Sequence, residues 1–123
     1  MKLAIGLALC GFFAAATAAR ADGVLGEWAR NDGHGSVKFE PCGDAVCGTI
    51  ASMKDPKGPG KIGQKVFFDM KPSGEGAWAG KAFNPEDGKE YTGKMSLAGP
   101  SLVTQGCVFG GLICKSLEWT RVK

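Results

Sequence analysis

The side chains able to do chemistry in this chain are few: five cysteines, one histidine and an acidic turn over residues 84–90. Four cysteines form two short-spaced pairs, Cys42 with Cys47 and Cys107 with Cys114, while Cys10 stands apart near the N-terminus. A four-cysteine zinc centre wants about two to four residues between paired ligands. The first pair has four and the second six, so the spacing suits only half of such a site. No C-x-x-C is present for dithiol redox chemistry. His34 lies in Asn31-Asp32-Gly33-His34-Gly35-Ser36, where Asp32 can orient it. Acid–base or nucleophilic catalysis would also need a cleft and a nucleophile. Ser36 begins a strand and no thiol is free, so His34 reads as a turn residue, and a hydrolase or isomerase centred on it ranks last among the functions considered. The turn Asn84-Pro85-Glu86-Asp87-Gly88-Lys89-Glu90 fails as a calcium loop, because Gly88 stands fifth where that loop needs its glycine sixth. Neither a metal site nor a cofactor is expected.

Compartment decides what the cysteines become. Lys2 is followed by the apolar run Leu3 to Ala19, and Ala19-Arg20-Ala21 is a small-x-small cleavage pattern, so residues 1–21 read as a signal peptide and residues 22–123 as the mature single domain. A lipid-anchored form cut at Cys10 is disfavoured, since Leu9 occupies the place a small residue should hold. Export to the periplasm or beyond leaves four cysteines in an oxidising environment, which predicts two disulfides. Thirteen basic against 12 acidic residues remain after cleavage, a net balance that gives no electrostatic footprint for nucleic acid or anionic lipid. No second apolar stretch is long enough to span a membrane as a helix.

The elements that must position these groups are strands. Glycines fall between short alternating runs and long helical periodicity is absent. Eight strands are predicted, near residues 24–30, 35–41, 46–53, 64–70, 77–83, 91–97, 101–108 and 113–122. Joined by short connections they form an all-β fold, a small eight-stranded antiparallel up-and-down barrel whose interior is just wide enough for side chains or one small ligand. Alternation places Val37 and Phe39 inward, with Cys42 and Cys47 on one outer face, and it sends Cys107 and Cys114 outward opposite Leu102 and Trp119. The predicted bonds are therefore Cys42–Cys47 and Cys107–Cys114, each closing a hairpin from outside. The same alternation turns Phe68 inward and Phe67 outward. Lys54-Asp55-Pro56-Lys57-Gly58-Pro59-Gly60-Lys61 cannot ladder and reads as a mobile loop with a positive bias, able to draw an anionic head group to the barrel mouth.

The first strand carries Gly26-Glu27-Trp28 and the last Trp119-Thr120-Arg121. A G-x-W opening with a basic residue in the final strand resembles the calycin superfamily, which includes lipocalins. Trp28, Trp119 and Arg121 would then seal the barrel floor, the guanidinium stacked on the indole. A closer resemblance covers nearly the whole mature chain. The succession G-x-W, Cys42 to Cys47 then Gly48, Gly63 to Asp69, Trp78-x-Gly80, Asn84-Pro85-x-Asp87-Gly88-Lys89-x-Tyr91, Gly106-Cys107 and Trp119-x-Arg121 is similar to the bacterial exported family of domains of unknown function numbered 2147. Asn84 departs from that pattern, where aspartate is common. The resemblance implies a lipocalin-like barrel and a periplasmic address, and brings no catalytic residues.

Two functional readings follow. In the first, the barrel is a binding module for a small apolar or amphipathic ligand, with Phe68, Trp78, Tyr91 and Met95 as candidate walls. In the second, the apolar hairpin tip 108–113 is the working part of an envelope interaction or structural protein. Phe109 and Leu112 there either fold back as a cap, the favoured arrangement, or form an exposed patch for a partner or lipid surface.

Overall fold

The computed structural model describes residues 23–122. The segment read as a signal peptide lies outside the described residues. Eight strands follow one another: β1 Gly26–Arg30, β2 Gly35–Cys42, β3 Ala45–Met53, β4 Lys65–Gly74, β5 Ala77–Asn84, β6 Lys89–Ala98, β7 Ser101–Val108 and β8 Ile113–Arg121. Each pairs antiparallel with the next, and β8 returns to β1, so the sheet closes as a barrel. Alternating apolar and polar side chains drive this arrangement, because closure gives every strand an inner face to bury and leaves no open edge.

An up-and-down path sorts the connections into two ends. Residues 23–25, the tight turns at 43–44, 75–76 and 99–100 and the C-terminus form the base; the connections 31–34, 54–64, 85–88 and 109–112 form the mouth. The base is sealed by Trp28, which is 1% exposed and donates its indole N–H to Val24 O at 2.9 Å. The Arg121 guanidinium lies 4.2 Å from the Trp28 ring centroid and donates to Leu25 O at 2.8 Å and Gly23 O at 2.6 Å. Cation–π attraction and two charge-assisted hydrogen bonds thus fasten both ends of the described chain to the floor. Above it, Phe39, Phe67, Met70, Trp78, Met95, Leu102 and Trp119 fill the interior. The Trp119 indole N–H finds Thr104 Oγ1 at 2.8 Å, which satisfies a polar group that burial would otherwise penalise. Gly48 makes the tightest layer possible: a Cβ there would sit 2.7 Å from the Phe39 ring.

Strand β4 corrects the simple alternation. Its register against β3 shifts twice, and Asp69 takes φ 50°. The extra residues turn Phe67 inward, 5.3 Å from Phe39 and 6.5 Å from Trp119 between ring centroids. Phe68 is turned out, half-buried, with the Lys65 ammonium 5.7 Å over its ring. Gly80 makes room for this bulge, since a Cβ there would fall 2.5 Å from Phe68 O and 2.6 Å from Asp69 O. The loop after β3 leaves the ladder, as its prolines and glycines predict, and carries hydrogen bonds of its own. It is tied down by Lys54 N to His34 O, Gly58 N to Asp55 O, Gly63 N to Ile50 O and Lys61 N to Gln64 Oε1.

Both disulfides join the predicted partners, Cys42 to Cys47 and Cys107 to Cys114. They lie on the outer face, yet Cys47 and Cys107 are themselves buried. Trp28→Ala is expected to destabilise the barrel by about 3 to 5 kcal/mol in urea unfolding, as for other large buried aromatics. A near-neutral value would contradict the floor seal. Reduction should remove about 2 kcal/mol per bond, the modest amount set by such short loops, read from the same titration.

Candidate functional site

Packing at the base leaves the mouth as the place where a ligand can meet the protein. There the 54–64 loop folds against the β5–β6 corner, with Gly60 close to Ile50 and Pro85. Between them runs a groove of about 670 Å³ lined by Gly58, Gly60, Lys61, Ile62, Gln64, Phe83 and Pro85. Phe83 and Pro85 are half-buried and Ile62 is 69% exposed, so the groove has an apolar floor and one apolar lip, with the Lys61 ammonium as its cation. A second depression of about 380 Å³ lies along β5 to β7, where Trp78 and Met95 meet Ala79, Lys94, Ser96 and Gln105.

Two polar corners lie at the same mouth end as the groove. At the β5–β6 corner Asn84 Oδ1 accepts from Glu86 N, Asp87 Oδ1 accepts from Lys89 N, and the Tyr91 hydroxyl donates to the other Asp87 oxygen. That hydroxyl holds the Asp87 carboxyl below its ordinary range, and the carboxylate in turn raises the Tyr91 phenol. At the β1–β2 corner Asp32 receives the Arg30 guanidinium at 2.6 Å and His34 N at 3.1 Å, with His34 Nδ1 at 3.0 Å. Partial burial pushes the Asp32 carboxyl up, but the His34 amide, Arg30 and the imidazole outweigh it and hold the carboxyl at about 2. The His34 side chain is 66% exposed. Asp32 orients it as the sequence suggests, in an open turn and not in a cleft.

The four candidate walls do not gather around one space. Trp78 and Met95 are cross-strand partners, each 2% exposed, packed in the core and together lining the smaller depression. Tyr91 shares their inward face nearer the mouth and rests on Gly106, while the β4 bulge places Phe68 outside. Phe109 and Leu112 are 77% and 82% exposed, so the tip takes the exposed arrangement and not the favoured cap; the turn directs these side chains away from the barrel. Among the described residues, Cys42, Cys47 and Asp69 group closely enough for a metal ion, but the sulfurs are bonded to each other and offer no thiolate. The groove itself escaped sequence reasoning. It joins residues some twenty positions apart, and its only sequence signal was the lysine, glycine and proline content of the loop.

Comparison with known proteins agrees with this architecture. The family model described as "Uncharacterized protein conserved in bacteria (DUF2147)" matches residues 26–121, and the chain belongs to that family. Among solved structures, the chain is similar to protein HP1028 from the human pathogen Helicobacter pylori, a structure titled as belonging to the lipocalin family. The TM-score is 0.66 at 19% identity, over 81% of this chain and 83% of that one. No curated protein matches.

The Asp32 corner carries a pH signature. Its carboxyl is depressed from 3.8 to about 2, so the stabilisation it gives is complete above 3.8 and is lost as pH falls through 2. In an NMR titration the His34 amide should shift with a midpoint near 2, and Asp32→Asn should abolish that shift. A midpoint at the ordinary carboxylate value would show the corner unpaired in solution.

Proposed function

We propose that this member of the DUF2147 family is an exported binding module that holds a small amphipathic ligand at the mouth of its barrel. The single observation that carries the reading is the groove between the 54–64 loop and the β5–β6 corner. Its volume, about 670 Å³, falls in the range of small-molecule sites, and its lining pairs apolar side chains with one cation. An apolar tail would lie on Phe83, Pro85 and Ile62, and an anionic head would meet Lys61. Binding is burial of apolar surface steered by charge, with no bond made or broken. The lipocalin-like fold and the two disulfides support a ligand-binding barrel in an oxidising compartment, reached through cleavage after Ala21. The near-complete burial of Trp78 and Met95, the inner candidates, supports a site at the rim over one in the interior. A second reading, an envelope interaction through the hairpin tip, is favoured by one observation, the exposure of Phe109 and Leu112.

Titration with a fluorescent fatty acid as an anionic amphipathic probe tests the groove. Saturable one-to-one binding is expected. Phe83→Ala or Ile62→Ser should weaken it by about tenfold, the loss of one well-buried apolar contact, and Lys61→Gln by less. Affinity indifferent to all three substitutions would remove the groove from consideration.

A further inference from the structure

The β7–β8 tip has a chemistry the groove does not use. Val108-Phe109-Gly110-Gly111-Leu112-Ile113 contains no polar side chain, where turns ordinarily collect them. Phe109, Leu112 and Ile113 are 77%, 82% and 56% exposed. Phe109 also adopts φ 55°, a conformation that glycine or asparagine takes at far less cost than a bulky residue. Neither core burial nor turn geometry therefore accounts for a phenylalanine here. The disulfide Cys107–Cys114 clamps the hairpin directly below, so the tip is presented on a fixed base.

Two cations stand at this tip. The Lys94 Nζ lies 3.3 Å from where a Gly111 Cβ would be, and Lys115 follows the disulfide, exposed and opposite the side-chain-free Gly106. Ile62, also strongly exposed, belongs to the same mouth end. We infer that the tip docks the open end of the barrel onto an anionic lipid bilayer, with Phe109, Leu112 and Ile113 entering the headgroup boundary and Lys94 and Lys115 meeting lipid phosphates. Small apolar projections flanked by lysines suit a fluid interface that moulds itself around them. A protein partner suits them less, since three side chains supply only part of the ~800 Å² each side buries in a stable interface. Glu86 and Asp87 occupy the β5–β6 corner, so the attraction is local to the tip and the apolar side chains supply most of the binding. The inference is independent of the groove, because it needs no ligand.

The test uses the oxidised barrel without residues 1–21, since the described strands close on themselves and the apolar leader would itself bind lipid. Flotation with phosphatidylglycerol-containing vesicles should carry the protein, and purely zwitterionic vesicles should carry less, by about the factor that loss of the two lysines costs. Phe109→Asn with Leu112→Ser should reduce flotation by about tenfold or more. Lys94→Gln with Lys115→Gln should reduce it less and flatten its salt dependence. The tip substitutions should leave thermal unfolding and fatty-acid probe binding unchanged, because both side chains are exposed and asparagine accepts the left-handed turn. Flotation unaffected by the tip variant, equal on zwitterionic vesicles, or replaced by concentration-dependent self-association that the tip variant abolishes would overturn the inference. Loss of probe binding in the groove variants with flotation intact supports both sites as separate.

Discussion

The seam between β1 and β8 is the constraint on which the rest of this barrel depends. The two strands meet only along Trp28–Arg30 against Trp119–Arg121, a ladder of three partner pairs, as few as β3 shares with β4 and one fewer than β1 shares with β2. Without it the sheet would be open, with β1 and β8 as free edges and half the interior wet. Side chains make good what the short ladder lacks. Arg121 covers Trp28 and reaches back to the carbonyls of Gly23 and Leu25, Val122 N donates to Glu27 O, and Thr120 Oγ1 donates to Asn31 Oδ1. A lysine at position 121 would keep the charge but lose the planar fork that stacks and bonds at once. Closure and sealing are thus one event, carried by residues at the two extremes of the described chain.

Once the seam is made, the two ends of the molecule have different physical tasks. The base is tight turns and buried aromatics, where any loss of volume is felt through the whole core. The mouth carries the long loop, the polar corners and the apolar tip, none of which the core needs. Function placed there can vary without altering the fold, the usual relation between a rigid scaffold and its loops.

Period-two alternation made most of the architecture legible. All eight strands, their order, the Trp28–Arg121 stack and both disulfide pairings could be read from the sequence, because each hairpin keeps inward and outward positions in step, whereas Trp119, expected at the floor, packs above it against Phe67 and Thr104. The failures have a shared cause, which is that alternation stops meaning anything where the backbone leaves the ladder. In β4 the bulge at Phe68 and Asp69 reverses the faces of Phe67 and Phe68, and its only trace in the sequence is Gly80, whose purpose is visible once the carbonyls of Phe68 and Asp69 are seen against it. At the tip, nothing in the order of residues says whether Phe109 folds in or out. The groove depends on Gly60 meeting Pro85, a contact between connections that no local pattern records.

A filled interior also changes what a lipocalin-like fold means for this chain. Eight short strands enclose little more than their own side chains. Here Trp28, Phe39, Phe67, Trp78 and Trp119 occupy that space, with the indoles of Trp28 and Trp119 bonded to Val24 O and Thr104 Oγ1. A ligand entering the centre would have to displace aromatic packing whose burial stabilises the barrel, and would gain only equivalent apolar contacts in return. At the rim no such exchange is required. Ile62 is already exposed and Phe83 half-exposed, so covering them with a ligand is a net gain in buried apolar area. The energetics therefore support the proposed site at the edge of the barrel over one at its centre, on the end that also bears the apolar tip.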